Sequence, residues 1–106
     1  MTSYVVFDTA AVEGRRKPVA GEVGARGIRL NQFDSAPGQA GSEHDERESG
    51  QEEIYIPLRG QGVLRVDGAE VPLEPGRYVL VPPGATRQVV AGPEGLSYAV
   101  VGARVE

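Results

Sequence analysis

The residues with chemistry to offer gather between Gly38 and Gly62, in GQAGSEHDERESGQEEIYIPLRGQG. This stretch carries the chain's one histidine, His44, among the acidic residues Glu43, Asp45, Glu46, Glu48, Glu52 and Glu53. Imidazole and carboxylates at such short intervals could hold a cation, and the oxygen donors suit a hard one such as Ca²⁺ or Mg²⁺. The competing reading is a solvated loop: charge runs usually face water, the glycine spacing of a calcium loop is missing, and one histidine would have to serve every acid–base role. Glu53 stands apart because the apolar run Ile54 to Leu58 follows it directly. On a strand face turned inward, its carboxylate is costly to bury without a partner, and Arg87 is the candidate. No nucleophile constellation accompanies these residues. Ser35, Ser42 and Ser49 lie in loops beside no glycine elbow, and no phosphate-binding glycine loop opens a helix.

The elements that must position these groups are short strands. Tyr4 to Phe7 is a β-prone run, and Asp8 to Arg26 reads as irregular, with a short strand expected near Val19 to Val23. Inside that passage the basic cluster Arg15-Arg16-Lys17, between Gly14 and Pro18, lacks periodicity and reads as a solvated loop. Ile28 to Phe33 alternates, with Ile28, Leu30 and Gln32 on one face and Arg29, Asn31 and Phe33 on the other, and one face is polar enough to line a site. From Glu53 to Arg59 the same period sets Glu53, Tyr55, Pro57 and Arg59 against Ile54, Ile56 and Leu58. Both faces carry apolar bulk, so the strand is expected to be covered on both sides, by a second sheet and by a partner subunit. Pro57 lacks a ladder donor and marks an edge or an irregularity. Asp67-Gly68 between Gly62–Val66 and Ala69–Leu73 predicts a type I′ hairpin. Tyr78–Val81, Thr86–Val90 and Leu96–Val101 follow as strands between Gly- and Pro-rich turns. The sum is an all-β sandwich or barrel of eight to ten short strands.

Composition bounds the rest. A chain of 106 residues fits one domain, with 1–26 as an N-terminal extension and 27–102 as the barrel. Net charge is −4, from 11 basic and 15 acidic residues, which argues against a nucleic-acid surface. No apolar window is long enough to span a membrane. Zero cysteines fit a reducing compartment, and MTSYVVFD lacks the form of a secretory leader, so a cytoplasmic protein is expected. The apolar edges at Ile54–Leu58 and Leu96–Val101 predict a homodimer.

With these elements laid out, the chain resembles the cupins, which carry two motifs. The first has the form G-x5-H-x-H-x(3,4)-E-x6-G; Gly38-x5-His44-x-Glu46 matches its opening and Glu53-x6-Gly60 its close. The second, G-x5-P-x-G-x2-H-x3-N, is matched in framework by Gly76-x5-Pro82-x-Gly84-x2-Arg87-x3-Ala91. The resemblance implies a double-stranded β-helix, or jelly-roll, barrel. In that family three histidines and the motif glutamate hold a divalent metal (Mn, Fe, Ni or Zn) inside the barrel. Carried over residue by residue, Glu53 takes the glutamate position and Arg87 that of the second-motif histidine. Anchoring on Gly38 gives His44 and Glu46 as the remaining metal candidates; counting back from Glu53 without a gap gives Glu46 and Glu48. A guanidinium has no lone pair to ligate a cation, yet pairs well with carboxylate or phosphate. The expectation is therefore a degenerate metal site and a small, anionic ligand held by Glu53, Arg87, Tyr55 and Asn31. The alternative is a metal-dependent isomerase, dioxygenase or lyase of small metabolites.

Overall fold

The computed structural model describes residues 3–106. Its strands are β1 (Arg16–Lys17), β2 (Arg29–Ser35), β3 (Gln51–Val66), β4 (Ala69–Leu73), β5 (Val79–Val81) and β6 (Arg87–Arg104), with a 3-10 turn (Thr9–Ala11) ahead of β1 and one α-helical turn, α1 (Val19–Val23), ahead of β2. The two long strands, β3 and β6, run antiparallel along most of their length and organise the rest. The first half of β3 lies between β5 and the second half of β6, and beyond β6 come β2 and β1. The second half of β3 lies between β4 and the first half of β6. Residues 38–44 run along the far side of that half of β6, held by Gly41 N–H to the Val89 carbonyl at 2.8 Å and by reciprocal His44–Arg87 bonds.

Both halves turn their inner faces to one core, in which Tyr55 and Val100 from the first half join Leu64, Leu73, Val89 and Leu96. The inward positions change phase partway along each long strand. In β6 they are Arg87, Val89 and Ala91, then Leu96, Tyr98 and Val100. In β3 the pairing register shifts between Pro57 and Arg59 and again between Gly60 and Gly62. Such bulges bend a strand without ending it. Gly60 and Gly95 make the bend possible: both have positive φ, at 82° and 84°, and a Cβ on Gly60 would lie 2.2 Å from the Gly95 carbonyl oxygen.

Several expectations hold. Asp67 and Gly68 adopt φ of 47° and 85° and close the β3–β4 hairpin as a type I′ turn requires. Pro57 sits at an irregularity, directly before the first register shift. Others are corrected. Among the described residues six strands replace the eight to ten expected, because Glu53–Arg59 fuses with Gly62–Val66 and Thr86–Val90 with Leu96–Val101. Val19–Val23 is helical, not extended. Pro18 precedes it and Gly24 ends it at φ 76°, which is the Pro-start, Gly-stop pattern of a helix. Tyr4 to Phe7 is not a strand; Tyr4, Val5 and Val6 are exposed. The outer face of β3 is not covered by a second sheet, and Ile54 and Leu58 are exposed at 37% and 48%. No helix among the described residues is long and apolar enough to cross a membrane.

Candidate functional site

The barrel encloses a cavity of about 420 Å³ that opens to solvent. Strand alternation supplies its walls: Arg29, Asn31 and Phe33 from β2, Glu53 and Tyr55 from β3, and Tyr98 and Val100 from β6. The segment after Gly38 adds Gly41, His44 and Glu46, and the segment ahead of β1 adds Arg15.

At one end an acidic cluster forms around His44. Its backbone is fixed opposite Arg87, with His44 N–H donating to the Arg87 carbonyl at 3.0 Å and Arg87 N–H to the His44 carbonyl at 2.8 Å. The imidazole Nδ1 lies 3.2 Å from the Ser42 carbonyl oxygen. A carbonyl only accepts, so this contact is a hydrogen bond in the tautomer with Nδ1 as donor, and Nε2 faces the two carboxylates. Nε2 stands 3.3 Å from Glu46 Oε2 and 3.8 Å from Glu53 Oε1. Glu46 is held in turn by the Ser49 hydroxyl, which donates to its Oε1 at 2.7 Å.

Glu53 Oε1 also accepts from the Tyr55 hydroxyl at 3.0 Å and from Arg87 Nη2 at 3.1 Å. Arg87 is buried, 1% exposed. Its Nη1 donates to the Ala85 carbonyl at 2.7 Å and to that of Pro82 at 3.4 Å, while its Nε is buried without a partner. The guanidinium thus stands behind Glu53, tying it to the 82–85 turn, and does not line the cavity. Burial pushes the Tyr55 phenol up from its ordinary pKa, Glu53 adds to the rise and Arg87 partly opposes it. Tyr98 is raised as well, by burial first, with Arg15 opposing and Glu53 adding. Both phenols remain hydrogen-bond donors at neutral pH.

Of the residues singled out from the sequence, Asn31, Glu53, Tyr55, His44 and Glu46 line the cavity. Glu48 is exposed and lies apart, so the geometry follows the register anchored on Gly38, with the extra residues looping out before Glu53. Sequence reasoning passed over Arg15. The stretch read as a solvated loop places Lys17 in the interior, 8% exposed, its ammonium donating to the Val12 carbonyl. Arg15 lies over the Phe33 ring. The alternation of Arg15 and Lys17 inward around an exposed Arg16 was the signal available, and three residues are too few to distinguish it from chance.

The chain matches the Cupin domain family model over residues 31–101. It belongs to the cupins, and its all-β barrel is the cupin fold. Among solved structures it is similar to a cupin protein from Bacteroides fragilis, with a TM-score of 0.85 at 20% identity, covering 99% of this chain and 87% of that one. It is similar to a sugar phosphate isomerase from Silicibacter pomeroyi, with a TM-score of 0.74 at 26% identity over 85% of this chain and 59% of that one. Dimethylsulfoniopropionate lyase DddW of Ruegeria pomeroyi is 38% identical over 47 residues, 44% of this chain. The chain spans 31% of that enzyme's length.

Cupins commonly hold a metal, and the donor set here can be tested against one. Donor atoms of His44, Glu46 and Glu53 lie within 4.8 Å of one another, and in the tautomer with Nδ1 donating to Ser42 the Nε2 lone pair would point at a cation set between the two carboxylates. These residues fit a divalent cation that accepts two carboxylates and one imidazole. Two features weaken the fit: Arg87 occupies the position of the family's further histidine without a lone pair to offer, and its charge offsets that of Glu53.

Proposed function

We propose that this protein binds a small, oxyanion-bearing metabolite inside the barrel, with the His44–Glu46–Glu53 cluster acting as a weak, degenerate cation site. The observation that carries this reading is the cavity itself, which joins polar groups at its ends to an aromatic wall, the common build of small-molecule sites. The Arg87–Glu53 pair supports the degenerate-metal part, since it draws one of the two cluster carboxylates into a buried ion pair. Elemental analysis of protein purified without chelator or affinity metal is expected to find well under one equivalent of transition metal. One tightly held equivalent overturns that part.

A second reading, a metal-dependent enzyme of small metabolites, is favoured by the convergence of the three donors. It is also in keeping with similarity to proteins named as a sugar phosphate isomerase and a dimethylsulfoniopropionate lyase. A cation bound there would offer Lewis-acid chemistry; this chain's own residues would orient it through Ser42, Ser49 and Tyr55. On this reading Mn²⁺, Fe²⁺ or Ni²⁺ raises the thermal midpoint of the wild type by mass action and not that of Glu46→Ala. An unchanged midpoint with every metal removes it.

We further propose a homodimer built on the outer sheet face. Leu80 of β5, Ile54 of β3, Val101 of β6 and Leu30 of β2 are register partners in one row across the sheet, and a row of this kind asks for a cover. The absence of cysteine supports a cytoplasmic setting.

A further inference from the structure

We infer that Arg15, seated over Phe33 and converging with Tyr98 above the bare backbone of Gly41, is the oxyanion anchor of the cavity, so that the ligand is a small molecule bearing a carboxylate or phosphate. The inference rests on the small-molecule reading above and names which end of the ligand goes where.

Arg15 is held from two sides. Its carbonyl accepts from Asp34 N–H at 2.8 Å, which fixes the backbone beside β2. Its guanidinium carbon lies 4.8 Å from the Phe33 ring centroid, a cation–π contact that holds the side chain against the wall without using its N–H donors. Among the described residues no carboxylate pairs with it: the arginines in ion pairs are Arg47, Arg65 and Arg87. Its Nε is buried and has no hydrogen-bond partner. A half-buried, oriented and unpaired cation on a cavity wall is set up for an anion from outside the protein.

Gly41 marks the space. A Cβ there would lie 2.9 Å from Arg15 Nη2 and 3.7 Å from the Tyr98 hydroxyl. Its φ lies outside the left-handed range, so the backbone does not demand glycine. What the glycine provides is room where a guanidinium and a phenol meet. Tyr98, kept protonated by burial, adds a neutral donor, and Arg29 and Asn31 on the Phe33 face of β2 add further donors along the wall.

The aromatic wall links this end to the acidic one. Phe33 stacks on Tyr98 at 5.2 Å, Tyr98 on Tyr55 at 6.3 Å, and Tyr55 reaches Glu53. A ligand with its oxyanion on Arg15 would lay its body along Tyr98 and turn its far end to His44, Glu46 and Glu53. Arg87 is not an alternative anchor, because its side chain is fully buried behind Glu53 and engaged with Ala85 and Pro82.

The test is isothermal titration of the full chain at low ionic strength with malonate in one arm and inorganic phosphate in the other. The variants are Arg15→Gln, Gly41→Ala and, as a remote control, the exposed Arg77→Gln. Wild type and Arg77→Gln are expected to bind one of the anions alike, and Arg15→Gln to bind it at least about tenfold more weakly. Gly41→Ala, which keeps the charge and displaces the guanidinium, is expected to weaken it too. Should Arg15→Gln fail to melt cooperatively, Gly41→Ala decides. Malonate binding tighter points to a carboxylate ligand, and phosphate binding tighter to a phosphomonoester. Unchanged affinity in Arg15→Gln and Gly41→Ala, with the Tyr98 amide resonance still shifting as the anion is added, overturns the anchor and keeps the cavity reading. No heat from wild type with either anion, and no amide shift at Tyr98, overturns both.

Discussion

Glu53 Oε1 receives the Tyr55 hydroxyl at 3.0 Å and Arg87 Nη2 at 3.1 Å, with His44 Nε2 a further 3.8 Å contact. Removing that carboxylate leaves Arg87 buried and unpaired, a change that costs about 3–5 kcal/mol where one partner of a buried pair is lost. Glu53→Ala should lose stability on this scale in denaturant unfolding and Glu53→Gln markedly less; a loss under about 1 kcal/mol for Glu53→Ala would show that the pair is not what holds the site. The raised phenols give a pH dependence. Unfolded tyrosine releases its proton near pH 10, while folded Tyr55 and Tyr98 keep theirs to higher pH. Above about pH 10 the unfolded state therefore binds fewer protons, and stability that is fully present below that pH falls as pH rises. Thermal midpoints should drop in that range, and Tyr55→Phe should flatten the drop; an unchanged slope contradicts the assignment. At this scale much of the site was legible, because alternation places Asn31, Glu53 and Tyr55 on inward faces. Arg15 was not, since its stacking on Phe33 depends on a short strand, β1, whose formation depends on β2.

The bend in β3 and β6 turns flat ladders into a barrel. Gly60 is the tightest point: φ is 82° and the Gly95 carbonyl fills the space a side chain would need. Gly60→Ala should cost on the order of 3 kcal/mol or more and leave a molecule that unfolds at low denaturant. Gly76→Ala, at a positive φ with nothing near its Cβ position, should cost only the backbone strain, about 1–2 kcal/mol. Equal losses at the two positions would remove the argument for a steric corner. The same glycines explain the miscounted strands. In sequence a glycine between β-branched runs reads as a stop, and a bulge within a continuing ladder uses the same residue. Motif spacing overcame this ambiguity for the barrel as a whole, but not for the number of strands within it.

At the scale of the molecule, the inner faces share one core beside the cavity, while the outer row Leu80–Ile54–Val101–Leu30 has no second layer over it. Leu80, Ile54 and Leu58 are exposed at 58%, 37% and 48%, and a second copy is the proposed cover. Light scattering should return twice the 11.2 kDa chain mass, and Ile54→Asp should return the monomer; a monomeric wild type at concentrations well above the micromolar range removes the dimer. Turn residues alone gave an all-β sandwich or barrel, and it was the resemblance of the Gly38–Gly60 and Gly76–Ala91 motifs to the cupin pattern that implied this barrel. The occupant could not be read, because it depends on which side chains converge from segments far apart in sequence. The central claim, a small oxyanion-bearing ligand inside the barrel, is tested most directly by mapping amide chemical shifts while malonate or phosphate is added. The account predicts saturable shifts that move together at Asn31, Gly41, Tyr55 and Tyr98. Shifts confined to the surface hollow around Arg59, Glu94 and Ser97, or none at all, would contradict it.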